Sequence, residues 1–130
     1  MLLVSANAFG QEEFFRDFLV GKYILVGKAL DSNTTYTGKV EVYQKNGHLK
    51  VKRTTNSQVI IGKAEIEPAL NGDTKVLRFR YMKASKEYEQ TCLWQSDLDN
   101  YARISCYLYK PKVHTKHPGL EVLFHDHTTD

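Results

Sequence analysis

Proline is scarce in this chain, 3 among 130 residues, which excludes a polyproline spacer or a low-complexity tract. Cysteine is limited to Cys92 and Cys106, too few for a disulfide-dense scaffold or a four-cysteine zinc site. Long apolar runs are missing as well: no stretch approaches the roughly 18 residues that span a bilayer, so no transmembrane segment is expected. Charge of one sign does not dominate either, because 18 Lys and Arg against 15 Asp and Glu leave only +3, spread along the chain. Local basic groups are confined to Lys50, Lys52 and Arg53, then Arg78 and Arg80. Strand alternation places these largely on outer faces, where they read as solvated surface, and no nucleic-acid partner is expected. Catalytic signatures are absent too. There is no Gly-x-Ser-x-Gly, phosphate loop, His-Glu-x-x-His or Cys-x-x-Cys, so neither an enzyme nor a cofactor is expected.

The chain does have enough apolar material for one core, 42% hydrophobic residues including 8 Tyr, 6 Phe and 1 Trp, and its length suits a single domain over residues 11–127. Residues 1–10, MLLVSANAFG, read as the tail of a secretory signal, with Leu2, Leu3 and Val4 ending an apolar core and Ala6-Asn7-Ala8 supplying the small-x-small pattern. A disordered N-terminus is the alternative. Export would place the mature protein in a secreted or periplasmic setting. From Gln11 to Leu19, Phe14, Phe15, Phe18 and Leu19 recur at helical spacing, with acidic residues expected in the first turn and Gly21 ending the pattern.

Beyond Gly21 the pattern changes to period 2. Eight strands are expected, at 21–30, 35–43, 47–55, 58–67, 74–84, 86–95, 101–110 and 120–126. In the second, Tyr36, Val40 and Val42 share a face against Thr37, Lys39 and Glu41; in the fifth, Leu77, Phe79 and Tyr81 oppose Arg78 and Arg80. One face is therefore buried and one wet. Asp31-Ser32-Asn33, Asn46-Gly47, Asn71-Gly72-Asp73 and Asp97-Leu98-Asp99-Asn100 carry the residues that tight turns require. Short connections imply up-and-down neighbours, and closure removes both exposed edges, so an all-β, eight-stranded antiparallel barrel with a short N-terminal helix is expected ahead of a sandwich.

A hairpin turning about Asp99 sets Cys92 opposite Cys106, Trp94 opposite Ile104 and Gln90 opposite Leu108. Cysteines facing across an antiparallel pair can be bonded, above all in an exported protein; two buried thiols are the alternative.

Gly21-Lys22-Tyr23, opening the first strand after a helix, resembles the Gly-x-Trp start of the lipocalins, with Tyr for Trp. Ser96-Asp97-Leu98-Asp99-Asn100-Tyr101-Ala102, followed by Cys106, resembles their Thr-Asp-Tyr-x-x-Tyr turn and the next strand. With Tyr36-x-Gly38 and the alternating strands, the chain is similar to small bacterial barrels of the calycin superfamily, which includes the avidin type. The resemblance implies a secreted carrier whose site is the barrel mouth and lumen.

The residues themselves offer three candidate sites. The inner face carries Tyr23, Tyr36, Phe79, Tyr81, Tyr88 and Trp94, rings with apolar area and a polar handle that suit a small hydrophobic or aromatic ligand. An eight-stranded barrel is only just wide enough for its own side chains, so a filled core and a cavity both remain open. The seventh strand carries Tyr101, Arg103, Tyr107 and Tyr109 on the face opposite Cys106, near Leu93 of its partner strand; exposed Tyr and Arg anchor protein interfaces, so a protein partner or inhibitor role is the alternative function. Finally, His125 and His127, near His114 and His117, alternate so that both rings share a side and could share a metal, although no cluster of Cys or Glu completes a set. Asn33-Thr34-Thr35 matches a glycosylation acceptor.

Overall fold

The computed structural model describes residues 2–129, with side chains from residue 10 onward. Helix α1 (Leu2–Leu19) leads into eight strands: β1 (Gly21–Lys28), β2 (Thr35–Lys45), β3 (His48–Thr55), β4 (Gln58–Ala69), β5 (Thr74–Lys83), β6 (Lys86–Ser96), β7 (Ala102–Tyr109) and β8 (Gly119–His125). Each strand pairs antiparallel with the next, and β1 pairs with β8, so the sheet closes into an up-and-down barrel. The expected strands are all present, with ends shifted by one or two residues.

Alternation produces the core directly. Tyr23 and Leu25 of β1, Val40 and Val42 of β2, Leu49 and Val51 of β3, Leu77 and Phe79 of β5, and Ile104 of β7 point inward and are buried. Fully burying each such side chain stabilises by about 1.5–3 kcal/mol. The register of β6 and β7 sets Cys92 against Cys106, Trp94 against Ile104 and Gln90 against Leu108. Cys92 and Cys106 are disulfide-bonded, with Cα atoms 4.1 Å apart.

Two-residue turns with left-handed backbone join the hairpins: Asn46-Gly47 at φ 53° and 79°, Asn56-Ser57 at 49° and 64°, and Ala84-Ser85 at 51° and 63°. These match the twist of the strands they connect. At the β6–β7 turn, Asp97 Oδ1 accepts the Asp99 and Tyr101 amides at 2.8 and 3.0 Å, a side-chain mimic of a backbone turn.

Helix α1 is longer than the sequence pattern suggests. It runs through residues 2–10 without interruption, so Glu12 and Glu13 lie in its middle and no acidic residue occupies its first turn. The dipole expectation is corrected accordingly; Glu12 instead faces Arg16 one turn on, at 3.9 Å. The side chains of residues 1–9, on which the signal reading rests, lie outside the described residues. The C-terminal half of α1 closes one end of the barrel: Leu19 is buried in the core with Phe18 packed beside it, Phe15 meets Trp94 edge-on at 5.3 Å, and the Tyr23 hydroxyl donates to the Leu19 carbonyl at 2.6 Å. The opposite end carries the 29–34, 56–57, 84–85 and 110–118 connections, and the first and last of these are tied together by two 2.9 Å bonds between Asp31 and His117.

Candidate functional site

The six inner rings fall into two groups. Tyr23, Phe79 and Trp94 belong to the helix end and middle of the barrel, where they pack into the core with α1. Tyr36, Tyr81 and Tyr88 gather at the other end, the mouth. There Tyr81 and Tyr88 stack, with ring centroids 5.7 Å apart and planes 7° from parallel, and Lys110 Nζ lies 5.5 Å from the Tyr88 centroid. Tyr36 fits because its ring lies where a Cβ on Gly27 would be, 2.5 Å away, so this approach requires glycine across the β1–β2 pair.

Beneath the mouth tyrosines is a charged network. Arg53 of β3 reaches across the lumen and grips Glu121 of β8 bidentately, at 2.6 and 2.7 Å. Gln90 of β6 donates to Glu121 at 2.8 Å and accepts from Arg53 at 3.1 Å; the Tyr36 hydroxyl also donates to Glu121, and the Arg53 guanidinium lies 4.7 Å from the Tyr81 ring centroid. Glu121 is only 1% exposed. Burial pushes its carboxyl up, but the hydrogen bond and charge of Arg53, with help from Tyr36 and Gln90, outweigh it and hold Glu121 below the usual carboxylate range. Burial, then the adjacent Glu121 charge, pushes the Tyr36 phenol up; burial does the same to Tyr81. Among the described residues no buried side-chain polar atom lacks a partner.

Arg53 therefore points inward, not outward as its grouping with Lys50 and Lys52 suggests. It shares parity with the buried Leu49 and Val51 of its own strand, and its desolvation is offset by a carboxylate 68 positions away. Glu121 and Gln90 likewise sit on the inner face, with Leu123 and Cys92. Their signal in the sequence is a polar residue in phase with an apolar stripe.

Two recesses flank β3 and β4. One, of about 580 Å³, opens beside the mouth; Tyr81 and Tyr88 line it together with Ile61, Met82, Lys50 and Lys63. The other, of about 520 Å³, lies toward α1 and has a mixed-charge lining that includes Glu12, Arg16, Lys50, Lys63 and Glu65. Ligand pockets generally fall in this size range.

The expected partner face divides. Tyr107 is 57% exposed and Arg103 lies 5.1 Å from the Phe124 ring centroid on the outer wall. Tyr109 is only half-exposed and is engaged by Thr91 at 2.7 Å and by Glu89, which joins it to the Glu67, Arg78 and Arg80 cluster. Tyr101 stacks on His125 at 3.6 Å, and His127 meets both rings edge-on, at 5.5 and 4.7 Å. The two histidines are thus together, around Tyr101, and His127 lies 3.7 Å from Asp99; His114 and His117 lie in the 110–118 connection. Among the described residues no group of three metal-ligating side chains is assembled.

The outer wall of β8 and β1 also carries exposed apolar residues that alternation predicts to be polar. Ile24 pairs with Phe124 and Val26 with Val122, Tyr107 pairs with Leu120, and Leu93 lies across from Ser105 on β6. Ile24, Val26, Leu93, Tyr107, Leu120 and Phe124 are exposed, and Val122 is half-buried. Compared with known protein families and with curated proteins, the chain matches none.

Proposed function

We propose that the protein is an exported binding domain that holds a small apolar or aromatic ligand at the edge of the barrel mouth. The observation that carries this reading is the 580 Å³ recess with the stacked Tyr81 and Tyr88 in its lining. The ligand seat is displaced from the barrel axis because the axis is filled: Phe79, Leu77, Gln90 and Glu121 are all essentially inaccessible. The Arg53–Glu121 network supports the tyrosines from below, holding the mouth in one shape; a buried ion pair adds little net stability, so shape is its more reasonable contribution. The disulfide supports an oxidising compartment, and among the described residues no helix is long and apolar enough to cross a membrane.

The test is titration with the neutral fluorophore N-phenyl-1-naphthylamine. Binding should weaken about tenfold in Tyr88→Ala, the equivalent of losing roughly 1.4 kcal/mol, and stay unchanged in Trp94→Phe at the opposite end. Equal affinity in wild type and Tyr88→Ala would overturn the mouth as the seat.

A second reading rests on the apolar wall. Ile24, Val26, Leu120, Phe124, Leu93 and Tyr107 are exposed on neighbouring strands, an arrangement that marks an interaction surface. The exposed charges bordering it, Lys22, Lys28 and Arg103, are all cationic. A two-fold dimer would set like charges face to face, so the partner is a protein with an apolar patch rimmed by acidic residues. A photocrosslinking residue at position 107 should give a discrete adduct that Val26→Asp abolishes, whereas one at position 52 on the opposite wall should give none; the same adduct from both sites would dismiss this surface.

A further inference from the structure

The recess beside the mouth has a charge imbalance that the neutral ligand reading leaves unexplained. Across the outer wall, Lys50 pairs directly with Lys63, Lys63 with Arg80, and Arg80 with Glu89. Three cations thus stand side by side on strands about 4.8 Å apart. Arg80 is neutralised, by Glu67 at 2.7 Å and Glu89 at 2.8 Å. Arg78 is held by Glu67 at 2.7 Å, and Lys112 on the recess rim by Glu87 at 3.2 Å. Among the described residues, Lys50 and Lys63 have no carboxylate within 4.0 Å, the limit of an ion pair.

Like charges directly opposite in an antiparallel pair destabilise it. Elsewhere on this wall each clustered arginine has a glutamate partner, whereas Glu65, the nearest acidic residue along β4 from Lys63, lies 3.8 Å from Arg80 and pairs with neither lysine. Both lysines line the recess, and beside them are Ile61, 59% exposed, and Met82, 54% exposed, with Tyr88. The two glutamates on the rim, Glu87 and Glu89, are already engaged by Lys112 and Arg80. The unneutralised charge of the recess is therefore positive and sits next to apolar surface.

We infer that the ligand of this recess is a free organic anion, a carboxylate, sulfonate or phosphate ester, with its head group held between Lys50 and Lys63 and its apolar or ring portion laid on Ile61, Met82 and Tyr88. This rests on the recess being the ligand seat, and it adds the charge class. A bound anion would remove the lysine–lysine repulsion, so binding and local stability rise together. The head-group contribution is a partly exposed ionic contact, which salt screens.

The experiment compares 1-anilinonaphthalene-8-sulfonate with N-phenyl-1-naphthylamine, which has the same ring system without the sulfonate. The sulfonate should bind about tenfold more tightly than the neutral dye. Lys50→Gln with Lys63→Gln should erase that difference, leave the neutral dye unaffected and, by relieving the lysine–lysine repulsion, leave the thermal midpoint no lower. Lys75→Gln, at the helix end of β5 and outside the recess lining, should leave both dyes unaffected, and raising ionic strength should weaken the sulfonate alone. Equal affinity for the two dyes in wild type would overturn the anion assignment and leave the mouth reading standing; failure of both dyes to bind would remove both. Displacement of the sulfonate dye by phosphatidylglycerol vesicles but not by dodecanoate would overturn the free-ligand form and place the anion on a lipid surface.

Discussion

Arg53 and Glu121 depend on each other in a way that few other residues of the barrel do. Each is buried, and each is satisfied mainly by the other. Replacing Arg53 with Leu leaves Glu121 an uncompensated charge in the lumen and should destabilise by about 3–5 kcal/mol, whereas exchanging both for apolar residues of similar volume should recover most of that loss; urea unfolding of the single and double variants measures the difference. The same pair governs acid stability. Glu121 is held below its ordinary value of 4.5, and Glu67 is lowered to about 2, first by the hydrogen bond from Arg80. A carboxyl whose folded value lies below its unfolded value contributes stability above the unfolded value and loses it as the pH falls. Stability should therefore hold from neutrality down to about pH 4.5 and fall steadily toward about pH 2, with a shallower decline in Glu67→Gln; denaturant midpoints across that range provide the check. Arg53 shows how residues can mislead: its chain neighbours Lys50 and Lys52 suggest a basic surface cluster, but its phase with Leu49 and Val51 turns it inward. The phase was legible in the sequence; its partner, on a strand at the far end of the chain, was not.

The strands and their connections obey local rules more closely, and one of them stands out. Ala84 and Ser85 occupy left-handed backbone at φ 51° and 63°, in the same kind of turn that Asn46-Gly47 forms with favoured residues. Replacing Ala84-Ser85 with Asn-Gly should stabilise the β5–β6 hairpin by about 0.5–1 kcal/mol, because the strain at a non-glycine left-handed position is removed; a higher thermal midpoint is the expected readout. The β6–β7 hairpin has a stronger device. Its disulfide closes a loop of sequence separation 14, and removing it through Cys92→Ser with Cys106→Ser should cost about 3 kcal/mol, on the order of 10 °C in midpoint. Helix α1 is the least local element. Leu19→Ala should loosen it from the barrel at about 2–5 kcal/mol, and the Trp94 emission, now shielded by Phe15, should shift to the red.

At the scale of the molecule, the proposed binding surfaces are separate from the residues that stabilise the barrel. The residues that hold it together face inward, while the apolar wall and the paired lysines face outward on opposite sides of the cylinder. Substitutions on the wall should thus be nearly silent for folding: Val26, 47% exposed, changed to Asp should move stability by less than about 1 kcal/mol, and Phe79→Ala in the core should cost about 3–5 kcal/mol. Calorimetry of the two variants distinguishes this separation from a wall that is itself structural. The closed barrel offers no free strand edge, so a partner of the kind proposed would be met by side chains and not by an added strand.

Strand number, order, register at Cys92–Cys106 and the inner face of the six barrel rings followed from the sequence by itself, because period-2 alternation and turn chemistry act between residues that are neighbours along the chain or across one short hairpin. The tertiary structure alone decided that Glu121 meets Arg53, that α1 shuts one end, and that Ile61, Met82 and Tyr88 share a recess with two unneutralised lysines. Those outcomes depend on distances around the cylinder, where strands far apart in the chain become adjacent only once the sheet has closed.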